Sequence, residues 1–266
     1  MVNGTLYRRE MKGSLKLLLL FAAIITMYVS IIISMYDPEM MATLDSFSQA
    51  MPELMAAVGM TPGASTLLGF MISYLYGFIL LVFPMVYAIL RGNGLIAKYV
   101  DRGSMVALVA APVKRRTVAF TQMLVLVSGI FLLVAYATCL EYTIAEISFP
   151  GELELQDLLA INGGLLSLQL ALGGVCFLAS CIFSDTKYSL GLGAGLPALM
   201  FILQMLANAG EKAEAAKYFT IFTLYDPSGI LDGSETALLG IGILALLALV
   251  LYLAGIFVFT KKDLHI

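Results

Sequence analysis

Six stretches, roughly 17–36, 66–90, 117–140, 158–183, 188–207 and 236–260, carry no Asp, Glu, Lys or Arg in their interiors. A helix needs ~20 consecutive apolar residues to cross a bilayer, and only internally hydrogen-bonded backbone is stable there. The first stretch holds 11 Leu, Ile, Phe or Val residues. At ~0.3–0.6 kcal/mol each, they favour insertion by roughly 5 kcal/mol. The chain is 61% hydrophobic and only 12% charged, whereas soluble domains are nearer half apolar and a quarter charged. These features predict an all-α membrane protein, a single transmembrane domain of six transmembrane helices over residues 1–266. The fourth and fifth stretches are Gly-rich and separated only by "SDTK", read as a tight turn. The first has no small-residue cleavage site and is read as a retained span.

The basic residues set an orientation. Arg8, Arg9, Lys12, Lys16, Arg91, Lys98, Arg102, Lys114, Arg115, Arg116, Lys187, Lys261 and Lys262 fall on one side of the six-span topology. Lys212 and Lys217 fall on the other. The positive-inside rule then places the N- and C-termini in the cytoplasm. The N-terminal "LYRREMKGSLK" reads either as a helix in the inner interface or as a basic flank of the first span. Of the outer segments, 37–65 and 208–235, the first repeats Met40, Met41, Leu44, Phe47, Met51, Leu54, Met55 and Val58 at helical spacing. This predicts an outer amphipathic helix. In the second, "EKAEAAKYFTIFTL" reads as helix and "YDPSG" as a turn.

Several chemistries are missing. There is no GxxxxGK[ST], no HExxH and no GxSxG. Cys139, Cys176 and Cys181 lie in apolar runs, and His265 is the lone histidine. They form neither a disulfide framework nor a zinc site. Ion-coupled carriers usually keep an ionisable side chain at bilayer depth. The nearest here, Glu141, is expected at the outer edge of the third span. The chain therefore shows no private energy source and no catalytic, cofactor or metal residues of its own. Gln122, Asn162, Gln169 and Gln204 are the polar residues of the spans, serving either interhelical hydrogen bonds or a candidate substrate path. Gly163, Gly164, Gly173, Gly174 and the GxxxG pair Gly191 and Gly195 suggest close helix packing, and Pro84 and Pro197 suggest kinks.

The loop 91–116 carries a short apolar segment among charges. Asp101–Gly103 reads as a turn, Ser104 as the cap of a helix ending near Ala111, and Met105, Leu108, Val109 and Pro112 as one face of it. Two helical turns are marginal in water, so that face needs a surface, either the inner leaflet or a groove on a cytoplasmic protein.

An acidic residue, Gly-Ser, an apolar helical stretch, Pro and a basic pair (Asp101, Gly103–Ser104, Met105–Ala111, Pro112, Arg115–Arg116) resemble the first cytoplasmic loop of ABC exporter permeases of the type-two class. "FTLYDPSGILDG" and the ending "FVFTKKDLHI" are similar to that family's corresponding segments. A departure is Arg102, where a second acid is more usual. The resemblance implies a transport subunit in the plasma membrane of a bacterium, not itself an enzyme. Two such permeases pair, as a homodimer or heterodimer, and each docks a cytoplasmic ABC ATPase that holds ATP and Mg. The residues around the short coupling helix (Asp101, Arg102, Gly103, Ser104, Met105, Leu108, Val109 and Pro112) are the implied ATPase contact. The uncharged spans and Met-rich outer segment lean toward amphipathic or hydrophobic cargo, a membrane-active peptide or drug, as in the phenol-soluble-modulin exporters. Nothing points to nucleic acid. The alternatives are a non-transporting membrane scaffold and an ATP-independent channel or facilitator. A neighbouring reading frame with GxxxxGK[ST] separates the first from the exporter, and flux without ATP identifies the second.

Overall fold

The computed structural model describes residues 2–37, 66–105, 113–209 and 211–262, with backbone alone at 211–214. All regular structure among the described residues is helical. Six helices are long and apolar enough to cross a membrane: α1 Gly4–Ser34, α2 Leu67–Asp101, α3 Arg115–Ser148, α4 Leu155–Ile182, α5 Thr186–Asn208 and α7 Glu235–Lys261. A short helix, α6 Pro227–Leu231, precedes the last. Each long helix encloses one of the apolar stretches. The expected amphipathic helix of 37–65 lies almost wholly outside the described residues.

Helix α4 is the hub, with 72% of its apolar stretch buried. It packs on α2, α3, α5 and α7, while α1 lies mainly along α3. Glycines permit the approach. A Cβ at Gly173 would meet Ile130 Cδ1 at 2.6 Å and Tyr252 Oη at 2.7 Å, and one at Gly174 would meet Leu251 Cβ at 2.9 Å. Among the described residues, a Cβ at Gly191 or Gly195 of the GxxxG pair meets nothing. Gly193, between them, faces α4 instead, and its carbonyl accepts from Cys176 Sγ at 3.1 Å. Helix α5 is peripheral, only 11% of its apolar stretch being buried.

On α1, Leu6, Glu10, Ser14, Leu18, Phe21, Ile25, Val29 and Ile33 form one buried stripe. The opposite face, with Leu15, Leu19, Leu20 and Ile31, is exposed and equally apolar. Exposed apolar area on that scale in a helix of this length suits lipid rather than water. The basic "LYRREMKGSLK" is not a separate interfacial helix. It is the opening of α1, capped by Asn3, whose Oδ1 accepts from Leu6 N at 3.0 Å.

Both ends of the described chain lie at one end of the bundle. Arg115 Nη1 donates to the Lys262 carbonyl at 3.0 Å, and the Asn3 amide donates to Thr121 Oγ1 at 3.0 Å. The connections fix this topology. Asp185 caps α5, its Oδ1 accepting from Lys187 N at 2.6 Å, so the expected "SDTK" turn is a capped α4–α5 link. At the opposite end, Tyr36 stacks edge-on with Phe149 at 5.2 Å and tilts against Phe70 at 5.6 Å, closing α1, α2 and the end of α3. There "EKAEAAKYFTIFTL" is not α-helix but two 3-10 pieces, Glu211–Phe219 and Phe222–Leu224. "YDPSG" is not a plain turn but the start of α6, because Asp226 Oδ1 accepts from Gly229 N at 3.0 Å and Pro227 sits at the first helical position.

Candidate functional site

Two places concentrate polar side chains, and α5 joins them. The first is the α2–α3 loop. Helix α2 breaks at Ile96, and the freed amides of Ile96 and Ala97 donate to Ser180 Oγ on α4 at 3.3 and 2.9 Å. A last turn, Ala97–Asp101, then leads to Gly103 in the left-handed region (φ 68°). Asp101 Oδ2 accepts from Thr186 Oγ1, at the start of α5, at 2.6 Å. Ser104 Oγ donates to the Tyr99 carbonyl at 3.2 Å, finishing α2. Met105 is 1% exposed and belongs to the chain's own core. Arg102 is exposed. Leu108, Val109, Pro112 and most of the expected short helix lie outside the described residues.

The second place lies in the opposite half of the bundle and was not foreseen. Residues Ile72–Ile79 of α2 form a π-helical stretch, a form that often marks function. Pro84 follows it and has no N–H for the Leu80 carbonyl four residues back. Gln169 of α4 compensates, its Nε2 donating to the carbonyls of Leu80 (3.2 Å) and Leu81 (2.9 Å). The π stretch turns Tyr76 inward. Its hydroxyl donates to Glu141 Oε2 at 2.8 Å, and Asn162 Nδ2 lies 3.0 Å from the same oxygen and 2.6 Å from the Tyr76 hydroxyl.

Glu141 is 0% exposed. Neighbouring helices enclose it, so its place just past the third apolar stretch does not open it to solvent. Nothing in "EYTIAEIS" breaks a helix before Pro150, so α3 runs on to Ser148 and leaves Glu141 about 10 Å inside its end. Glu141 Oε1 and Asn162 Oδ1 are buried with no partner. The cluster thus keeps two acceptors open to a hydrogen-bond donor.

Tyr76 also lines a cavity of about 430 Å³, with Phe201, Gln204, Phe222, Tyr225 and Asp226 among its other walls. Ring contacts of 5.6 Å (Phe78–Phe201) and 5.5 Å (Phe201–Phe222) brace it. Burial first, then the negative charges of Glu141 and Asp226, hold the Tyr225 phenol well above its usual range, so it remains a neutral hydroxyl.

The four polar residues read from the spans do not all line this cavity. Gln204 is in the cavity wall, with Nε2 on Asn208 Oδ1 at 3.0 Å. Asn162 reaches the cavity through Tyr76. Gln169 supports the α2 backbone, and Gln122 is fully buried with no partner for its side-chain amide. No group of three His, Cys, Asp or Glu able to hold a metal occurs among the described residues. No family model, curated protein or solved structure matches the chain.

Proposed function

We propose that this chain is the membrane-spanning permease subunit of an ATP-driven exporter, with the α2–α3 loop on the cytoplasmic side seated on a separate ATPase. The observation that carries the reading is the placement of α5. Its first residue, Thr186, is hydrogen-bonded to Asp101 at the near side of that loop. Its last turns, with Phe201, Gln204 and Asn208, wall the 430 Å³ cavity. Between Thr186 and Gln204 lie about 27 Å of continuous helix. As the least buried span, α5 is the one least enclosed by the rest of the chain. A pull on the loop thus has a mechanical route to the cavity. Basic residues at the loop end support its cytoplasmic placement. The mixed aromatic and polar wall suits an amphipathic peptide or drug.

The test is co-expression with the ATPase encoded beside it, in a permease carrying Leu108→Asp and Val109→Asp. Co-purification of the ATPase is expected to be lost while the spans still insert. Unchanged co-purification removes the loop from the ATPase contact. A gentler change separates docking from transmission. Asp101→Ala with Thr186→Val is expected to keep the ATPase bound, leave thermal stability within about 0.5 kcal/mol, as for surface substitutions, and lower transport per ATP hydrolysed. Transport at wild-type efficiency in that variant rules α5 out as the transmission rod.

One observation favours a second reading. Glu141 is the kind of enclosed carboxylate that a self-driven carrier uses. Transport by Glu141→Gln decides between the two.

A further inference from the structure

At the loop end of the bundle a second cavity, of about 390 Å³, opens between the start of α1 and the end of α2. Its walls carry Arg9, Arg91, Lys98 and Arg102, and among the described residues its only acid is Glu10. Four cations against one carboxylate leave three positive charges around one hollow. Glu10 is already committed. Its Oε2 accepts from Arg91 Nη2 at 2.6 Å, and its Oε1 accepts from the Tyr99 hydroxyl. Both hydrogen bonds made by Arg91 leave from Nη2, and its buried Nε has no partner. Arg91–Glu10 is the one ion pair among the described residues. Among the described residues, Arg9, Lys98 and Arg102 therefore stand round the hollow without counter-ions. Asp101, next to Arg102 in the chain, does not line it and accepts from Thr186.

Position narrows the ligand. Leu90, 51% exposed, directly precedes Arg91, and Leu15, 52% exposed, lies about 9 Å along α1 from Arg9. Both begin the exposed apolar belt. The hollow sits just past that belt, and the polar edge of an apolar belt is where a bilayer presents its phosphates. Guanidinium groups bind phosphate oxygens in pairs and lysine adds a point charge. The volume falls in the range of small-molecule sites, ~300–1,000 Å³. We propose that this cavity is a phosphate-binding site, which takes the headgroup of an anionic phospholipid or a soluble phosphate. The site does not depend on the exporter reading.

The experiment uses the purified full chain in micelles. In one arm, native mass spectrometry measures retention of phosphatidylglycerol against phosphatidylcholine. In the other, inorganic phosphate is titrated and the melting temperature followed. Lys98→Ala with Arg102→Ala removes two cations whose side chains are exposed and make no hydrogen bond, so the fold is retained. Lys12→Ala with Arg116→Ala, outside the cavity, is the control. Selective retention of phosphatidylglycerol, weakened about thirtyfold by the cavity pair and unchanged in the control, supports the site with lipid as its source. A phosphate-dependent rise in melting temperature that the cavity pair abolishes supports it with soluble phosphate as the source. If neither probe distinguishes the cavity pair from wild type, or if the control loses as much, the site does not exist and the charge acts only as a diffuse surface.

Discussion

Glu10→Leu is expected to lower the unfolding free energy by about 3 kcal/mol, the low end of the cost of breaking a buried ion pair. The side chains of Arg91 and Glu10 are 13% and 6% exposed. Removing the carboxylate leaves the guanidinium desolvated, with only the Glu10 backbone carbonyl, 2.9 Å from Nη2, still facing it. The Tyr99 hydroxyl loses its acceptor in the same change. Adding Arg91→Met removes the stranded charge, and the double variant is expected to recover most of the loss, because a buried pair replaced by apolar side chains of similar volume is often neutral. Denaturant titration of the three variants and wild type in one mixed micelle gives the full cycle. A single-variant loss under about 1 kcal/mol, or a double variant no better than the single, contradicts the claim that this pair fastens α1 to the end of α2.

The pair also shows where sequence reasoning stops. The six rods were legible because lipid imposes a length and a composition that can be counted along the chain. The basic end was legible because topology signals are local. Glu10 was not, since it looks like a stray acid in a basic flank and its partner is 81 residues away. Gln169 was read correctly as a polar residue inside a span. Its covering of the carbonyl that Pro84 strands needs two helices side by side. For Glu141, counting along the apolar run gives its position just past residue 140 but not its burial. The helix outlasts that run, and burial there comes from protein, which no count along one segment reveals. Tyr76 and Tyr225 gave no periodic signal beyond that of ordinary apolar positions. They became site residues only when a π-helical stretch and a capped loop aimed them at one cavity.

The second large effect separates the role of Glu141 as a strut from any role as an ion carrier. Glu141→Ala removes the acceptor for the Tyr76 hydroxyl and for Asn162 Nδ2 and leaves a void, all at a position with no solvent access. One stranded buried polar group costs about 1–3 kcal/mol, and the void adds to it, so a loss of about 3 kcal/mol is expected. Glu141→Gln keeps one carbonyl oxygen for both donors, and Asn162, whose Nδ2 is 3.0 Å from the carboxylate, carries an open acceptor in Oδ1. Its stability is expected within about 1 kcal/mol of wild type, roughly the net worth of one exchanged hydrogen bond. If ATP on a partner supplies the driving force, the Gln variant also transports at close to the wild-type rate, since the geometry at Tyr76 is kept. Transport abolished in a Gln variant of normal stability means that the carboxylate's charge is itself used. The chain would then carry an energy source of its own, and the second reading would replace the first.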